Sequence, residues 1–326
     1  PGIDSPNVTP CWTLEDAREI AKYAKPGAHV LQIGAGFIGS IILEALAKRG
    51  VELTVVELGD RMVPRMMTPV AGAMIKDWVE HKGVRVVTDA KVERIDAAGS
   101  VAAGETPKSF LHTIVDKVTG ATATEEEPVS ADDNLVVTLS TGEKVACSLV
   151  IVSAGVSPNM DFLAGTDVKT GRGVTVDLAM ETSVPGIFAA GDVAEAPDLF
   201  GGDPLVSAIQ PNAVDQARVA ALNMAGGDVK HPGALALNVL DTLGLVSTSF
   251  GQWEGVVGGQ GVELSDPARF RYLSLQFEGD VLVGATSIGM TQQVGVLRGL
   301  IQGQVALGAW KDILLKEPLR VTEAYL

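Results

Sequence analysis

The run Gly34-Ala35-Gly36-Phe37-Ile38-Gly39 constrains this 326-residue chain more than any other feature. It follows His29-Val30-Leu31-Gln32-Ile33, which reads as a buried strand, and it opens a helical pattern over 37–48 that closes at Gly50. A second apolar strand, 51–57, ends on Glu57, 18 residues beyond Gly39. Strand, glycine turn, helix and strand in this order make a βαβ unit in which each glycine has a physical task. Gly34 permits the tight turn, Gly36 lets backbone approach a pyrophosphate, and Gly39 lets the helix lie close to the sheet. The helix N-terminus then offers free N–H groups and partial positive charge to phosphate oxygens. Ala35, Phe37 and Ile38 complete the turn. Glu57 supplies a carboxylate where the adenosine ribose would lie; it accepts hydrogen bonds from a 2′-hydroxyl and repels a 2′-phosphate. The pattern predicts a dinucleotide site favouring NAD over NADP. Arg61 and Arg65 follow closely; either could court a phosphate or contact the nucleotide edge or solvent, and Arg61 is counted with the cofactor-binding residues.

The surrounding pattern continues as α/β. Residues 13–23 read as a helix with Thr13 and Asp16 forming a capping box. A helix over 71–81 leads to a strand at 84–87, and strands resume at 135–139 and 149–152. This alternation predicts a parallel sheet covered on both faces. Residues 97–134, rich in Ala, Gly, Thr and Glu, read as an inserted loop or short β-meander. Residues 184–189 are a further apolar run, read as a buried strand delivering Gly191-Asp192; a helix over 212–224, opened by Pro211, follows. Beyond 228 the character becomes antiparallel β, with a hairpin of 271–277 and 281–288 around Glu278-Gly279-Asp280. A last helix is expected over 294–309.

Composition removes several functions. With 25 Lys+Arg against 40 Asp+Glu, a formal charge of −15, and no dense basic cluster, the chain has no surface for neutralising nucleic-acid phosphates. The same balance opposes docking on anionic lipid by charge. Cys11 and Cys147 are too few for a disulfide framework, and four histidines without ligand spacing give no expectation of a metal centre. No apolar run is long enough to cross a bilayer and no signal peptide opens the chain, so a cytoplasmic protein without membrane insertion is expected.

Three motifs in order resemble the pyridine nucleotide–disulfide oxidoreductases, a superfamily of flavoproteins with two dinucleotide sites. They are the 34–39 turn, the strand Leu149-Val150-Ile151-Val152 running into Ser153-Ala154-Gly155, and Ile187-Phe188-Ala189-Ala190-Gly191-Asp192. The resemblance covers nearly the whole chain. It implies an α/β fold: a Rossmann-like parallel-sheet NAD domain over 13–152, parts of an FAD domain over 1–12 and 153–227, and a C-terminal α+β interface domain over 228–326. It implies FAD and NAD as cofactors. Gly155 would return the chain to the FAD domain, and Gly191 with Asp192 would hold the ribityl and phosphate region of FAD. The helix opened by Pro211, Asn212 and Ala213 would present its N-terminus to the flavin edge, stabilising negative charge there. Phe37 stands where relatives carry an aromatic that covers the flavin and swings aside for nicotinamide. Residues 238–244 and 246–251 are most similar to the rubredoxin-reductase and nitrite-reductase branch.

The chain departs from the family pattern in three places. The earlier glycine fingerprint, which holds the FAD pyrophosphate in relatives, has no counterpart, so a further segment or partner chain is expected to complete that site. Ile41 stands where relatives place a Glu. No His follows His231, so the His-Glu pair of the disulfide reductases is absent. The first functional reading is an FAD-dependent NADH oxidoreductase that passes electrons to a small redox protein or other acceptor, within a homo- or hetero-oligomer. An NADH oxidase or CoA-disulfide-type reductase is the second reading. A non-catalytic NAD-binding scaffold subunit is the third.

Overall fold

The computed structural model describes residues 1–100 and 134–325, and the chain divides into two compact units. The first comprises Pro1–Gly155 with Leu240–Leu245; the second comprises Val156–Val239 and Val246–Leu326. Most of the expected insertion over 97–134 lies outside the described residues.

The first unit is built on five parallel strands in the order β1 (Val8–Pro10), β8 (Leu149–Val152), β2 (His29–Ile33), β3 (Glu52–Val56), β4 (Arg85–Val87). Val30, Leu31, Val55, Val56, Val150 and Ile151 are buried, as expected for strands covered on both faces. Helix α1 (Leu14–Tyr23) carries the expected box: the Thr13 side chain accepts from Asp16 N–H and the Asp16 carboxylate accepts from Thr13 N–H. Helix α2 (Phe37–Lys48) follows β2, and α3 (Pro69–His81) is capped by Thr68 with Pro69 in its first turn. One face of the sheet is covered by strands rather than helices. The antiparallel sheet β5 (Val92–Ala97), β6 (Leu135–Leu139), β7 (Lys144–Cys147) buries Ile95, Leu135, Val137, Leu139 and Cys147 against Leu31, Val56 and Val150. Cys147 is thus a small buried hydrophobe within this cluster.

The chain leaves β2 toward β3 on one side, while β8 lies on the other, so the carboxyl end of β2 is the point where strand order reverses. In open α/β sheets ligands bind at such a point. The 34–39 turn sits there.

The second unit holds a small sheet of β9 (Val174–Thr175), β10 (Ala194–Ala196) and β11 (Leu205–Val206), and helix α4 (Gln210–Met224). It also holds most of the antiparallel sheet β12 (Leu237–Thr242), β13 (Leu245–Gly251), β16 (Val281–Ile288), β15 (Arg271–Glu278), β14 (Gln260–Asp266), in that spatial order, with Leu240–Leu245 counted in the first unit. The expected hairpin is β15–β16. Two expectations fail. The last helix is broken into α5 (Val294–Gln302) and α6 (Ala309–Leu314), because Gln304 and Gly308 both adopt positive φ between them. Residues 184–189 form no strand: the 3₁₀ turn Gly191–Val193 is reached through bends and isolated bridges, Glu181 with Phe188 among them. Among the described residues no helix is long and apolar enough to cross a membrane.

Candidate dinucleotide site

Gly34 leaves β2 with φ +97°, in the left-handed region, and a Cβ there would lie 2.6 Å from the Ser153 carbonyl oxygen. A Cβ on Gly39 would lie 2.3 Å from the Gly34 carbonyl oxygen, 2.7 Å from Gln32 Nε2 and 2.9 Å from Ser153 Oγ. These two glycines are required by close packing. Gly36 differs: a Cβ there would meet nothing within 4 Å. It is the N-cap of α2, no side chain caps the helix, and the first intrahelical bond runs from Ser40 N–H to the Gly36 carbonyl. The N–H groups of the first turn therefore lack intrahelical acceptors, beside open space. That donor set suits an anionic group.

The turn is braced from behind. Gln32 Nε2 and Ser153 Oγ both donate to the Gly34 carbonyl, at 2.9 and 3.1 Å. Both are buried, and neither was assigned to the site from sequence; a glutamine amid an apolar strand was the available signal. Glu57, also buried, follows the last residue of β3. Its Oε2 accepts the Ala35 N–H at 2.7 Å and its Oε1 accepts the Gly59 N–H at 2.8 Å. Phe37 is half-buried and Ile41, one turn later on the same face, is 48% exposed. Ile38 is half-buried. Arg61 is turned into its own loop, on Met67, Pro64 and Asp60, while Arg65 is exposed. Gly155 closes this unit with φ +115° and space around it.

The second unit gathers the other assigned residues. Gly191, with φ +80°, begins the 3₁₀ turn and donates its N–H to Gln216 Oε1 at 2.8 Å. Gln216 is 1% exposed and was not foreseen. Asp192 is exposed on this turn. Helix α4 begins without a side-chain cap at Ile209, and Ala213 Cβ lies 3.5 Å from where a Gly191 Cβ would be. Asn212 is buried, and its amide donates to Ser207 Oγ and to the Leu235 carbonyl. Neither cysteine is prepared as a nucleophile. Burial, then the neighbouring Asp16 carboxylate, pushes the Cys11 thiol up, and Cys147 is buried.

Residues 1–118 and 110–221 match the Pyridine nucleotide-disulphide oxidoreductase family. The chain belongs to that family. Among curated relatives, it is 29% identical over 324 residues to the NADH-dependent phenylglyoxylate dehydrogenase subunit epsilon of Aromatoleum evansii, covering 98% of this chain and 69% of that protein. To the NADH oxidase of Methanocaldococcus jannaschii it is 28% identical over 232 residues, 70% of this chain and 44% of that protein. To the rubredoxin-NAD(+) reductase of Pseudomonas putida it is 27% identical over 220 residues, 68% of this chain and 49% of that protein. The chain thus spans less than half the length of the last two. Among solved structures, a ferredoxin reductase from Rhodopseudomonas palustris superposes with a TM-score of 0.78 at 24% identity, over 100% of this chain and 72% of that one.

Proposed function

We propose that this chain carries the NADH-binding part of an FAD-dependent oxidoreductase that delivers electrons to a small redox protein. The observation that carries this is the open space at Gly36 beside an uncapped helix, with the buried Glu57 carboxylate tied to the same turn. The N–H groups at Phe37, Ile38 and Gly39 would receive the pyrophosphate, and Glu57 the ribose hydroxyls. Phe37 and Ile41 would provide an apolar wall for the ring. When both cofactors are bound, nicotinamide supplies a hydride and flavin accepts it. In this reading residues 13–152 are the NAD domain, 153–227 contribute to the FAD domain through Gly155, Gly191, Asp192 and the first turn of α4 at Asn212 and Ala213, and 228–326 are the interface domain.

Neither Cys11, whose thiol burial and then Asp16 push up, nor the buried Cys147 is prepared for disulfide reduction, so that chemistry would need a cysteine outside these residues. The FAD site would be completed by a segment outside these residues, on the same or another polypeptide. Two observations support this. The 326 residues hold one G-x-G-x-x-G pattern. The apolar run Ile187-Phe188-Ala189-Ala190, strand-like in sequence, is unpaired in any named strand and 45% exposed at Ile187, and α4 exposes Val214, Leu222 and Met224. The similarity to a protein that is itself a subunit is consistent with a partner chain.

Titration with NADH and NADPH tests the first part; NADPH binding as tight as NADH would contradict it. Gel filtration with FAD tests the second. The 326-residue chain is expected to lose flavin on dilution unless the completing segment is supplied, and stoichiometric retention would refute it.

A further inference from the structure

Arg61 commits its guanidinium to the loop that follows β3. Its side chain is 16% exposed. Nε donates to the Met67 carbonyl at 2.9 Å, Nη2 to the Pro64 carbonyl at 3.2 Å, and Nη1 to Asp60 Oδ1 at 2.6 Å. Three acceptors lying around one planar fork define the loop over 60–67 as closed. The stem is held as well. A Cβ on Gly72 of α3 would lie 2.8 Å from Arg61 Cδ and 2.9 Å from Arg61 Cβ, so α3 rests directly on the arginine.

The closed loop reaches the turn through Val63. This residue is fully buried with φ +50°, a conformation that a β-branched residue adopts only when its surroundings impose it. In that conformation its N–H donates to the Ala35 carbonyl at 2.9 Å. The Ala35 N–H donates in turn to Glu57 Oε2, and the Gly59 N–H at the start of the loop donates to Glu57 Oε1. Both backbone groups of Ala35 are therefore held by the segment over 57–63.

We infer that Arg61 is a positioning residue for dinucleotide selection: it closes the loop that sets the Glu57 carboxylate, and its guanidinium, bonded within that loop, is withheld from a 2′-phosphate. The inference rests on the NADH reading above and deepens it. An arginine four residues past the ribose-reading carboxylate would by position alone be assigned to a phosphate. Here it acts through Glu57 instead, on the side of NADH.

The test measures NADH and NADPH affinities of the 326-residue chain by calorimetry for the unaltered protein, Arg61→Ala, Arg61→Lys, Glu57→Gln and the pairs of each arginine variant with Glu57→Gln. Arg61→Ala is expected to weaken NADH about tenfold and NADPH less than about twofold, because its effect passes through the carboxylate. One ammonium cannot satisfy three acceptors placed for a fork, so Arg61→Lys is expected to resemble Arg61→Ala. The losses from Arg61 and Glu57 are expected not to add: each pair should bind NADH within about twofold of Glu57→Gln alone. A thermal melt of each ligand-free variant accompanies the titrations, and if Arg61→Ala does not fold, the pair built on Arg61→Lys decides. Greater loss of NADPH than NADH, restoration of NADH affinity by Arg61→Lys, or additive losses would each overturn the inference. An unaltered chain that binds neither dinucleotide would overturn the NADH reading itself, a result distinct from all of these.

Discussion

The carboxylate of Glu57 accepts the backbone N–H of Ala35 at 2.7 Å, so the side chain proposed to read the ribose is anchored on the turn proposed to hold the phosphates. A second bond, from the Gly59 N–H, holds the other oxygen. Glu57→Ala should therefore act twice. It strands two backbone donors at a buried site, lowering stability by about 1–3 kcal/mol. It also removes a charge-assisted bond to the ribose, narrowing the preference for NADH over NADPH about ten- to a hundredfold. Thermal melts and paired titrations separate the two effects. An unchanged melting temperature would contradict the anchoring, and an unchanged preference the ribose role.

Gly36 and Gly39 should respond to alanine in opposite ways. At Gly39 the new methyl would sit within 2.3 Å of the Gly34 carbonyl oxygen, so Gly39→Ala should destabilise the ligand-free protein by about 1–3 kcal/mol through overpacking. At Gly36 φ is −73° and the space is open, so Gly36→Ala should leave the melt within about 0.5 kcal/mol while weakening NADH. Equal melting losses in both variants would show that the 34–36 side of the turn is not a ligand cradle.

Asn212 was assigned to the flavin from its place at the start of a helix, yet its amide is bonded to Ser207 and Leu235. Asn212→Ala should cost about 1–3 kcal/mol in flavin-free protein, since it strands a buried carbonyl. Urea denaturation without flavin measures this. An unchanged midpoint would mean the amide is free to serve a ligand.

His231 is buried, and its Nδ1 accepts the Gly233 N–H at 3.1 Å. Burial holds the imidazole below the usual histidine range, with Asp215 acting weakly the other way. The unfolded chain takes up this proton near the ordinary value of about 6.5 and the folded chain only at lower pH. Below that value the unfolded state binds more protons, so the stability associated with neutral His231 is full above about pH 6.5 and declines as pH falls. Urea midpoints should drop between neutral and mildly acidic pH, and His231→Asn, which keeps an acceptor for Gly233, should flatten the profile. Parallel profiles in both proteins would exclude His231 as the cause.

The βαβ unit was legible because its signals are local: apolar strands, the glycine spacing, and Glu57 at a strand end. Helix caps such as Thr13 with Asp16 were legible for the same reason. What depends on distant neighbours was not. Residues 184–189 have a strand's composition, but a strand also needs a paired neighbour, which their sequence does not specify. The break between α5 and α6 turns on Gln304 and Gly308, whose positive φ no apolar period reports. Arg61 was read by its charge and position, and the carbonyls that capture it come from the shape of its loop. Gln32, Ser153 and Gln216 act on backbone groups brought near them only by folding.

Anaerobic titration of the flavin-loaded protein, with the proposed completing segment present, tests the oxidoreductase reading most directly. Absorbance of the oxidised flavin should bleach stoichiometrically with NADH, with NADPH far less effective, and Gly36→Ala should slow the bleaching by weakening NADH binding. Tight NADH binding without any bleaching would contradict the account and favour a nucleotide-binding scaffold.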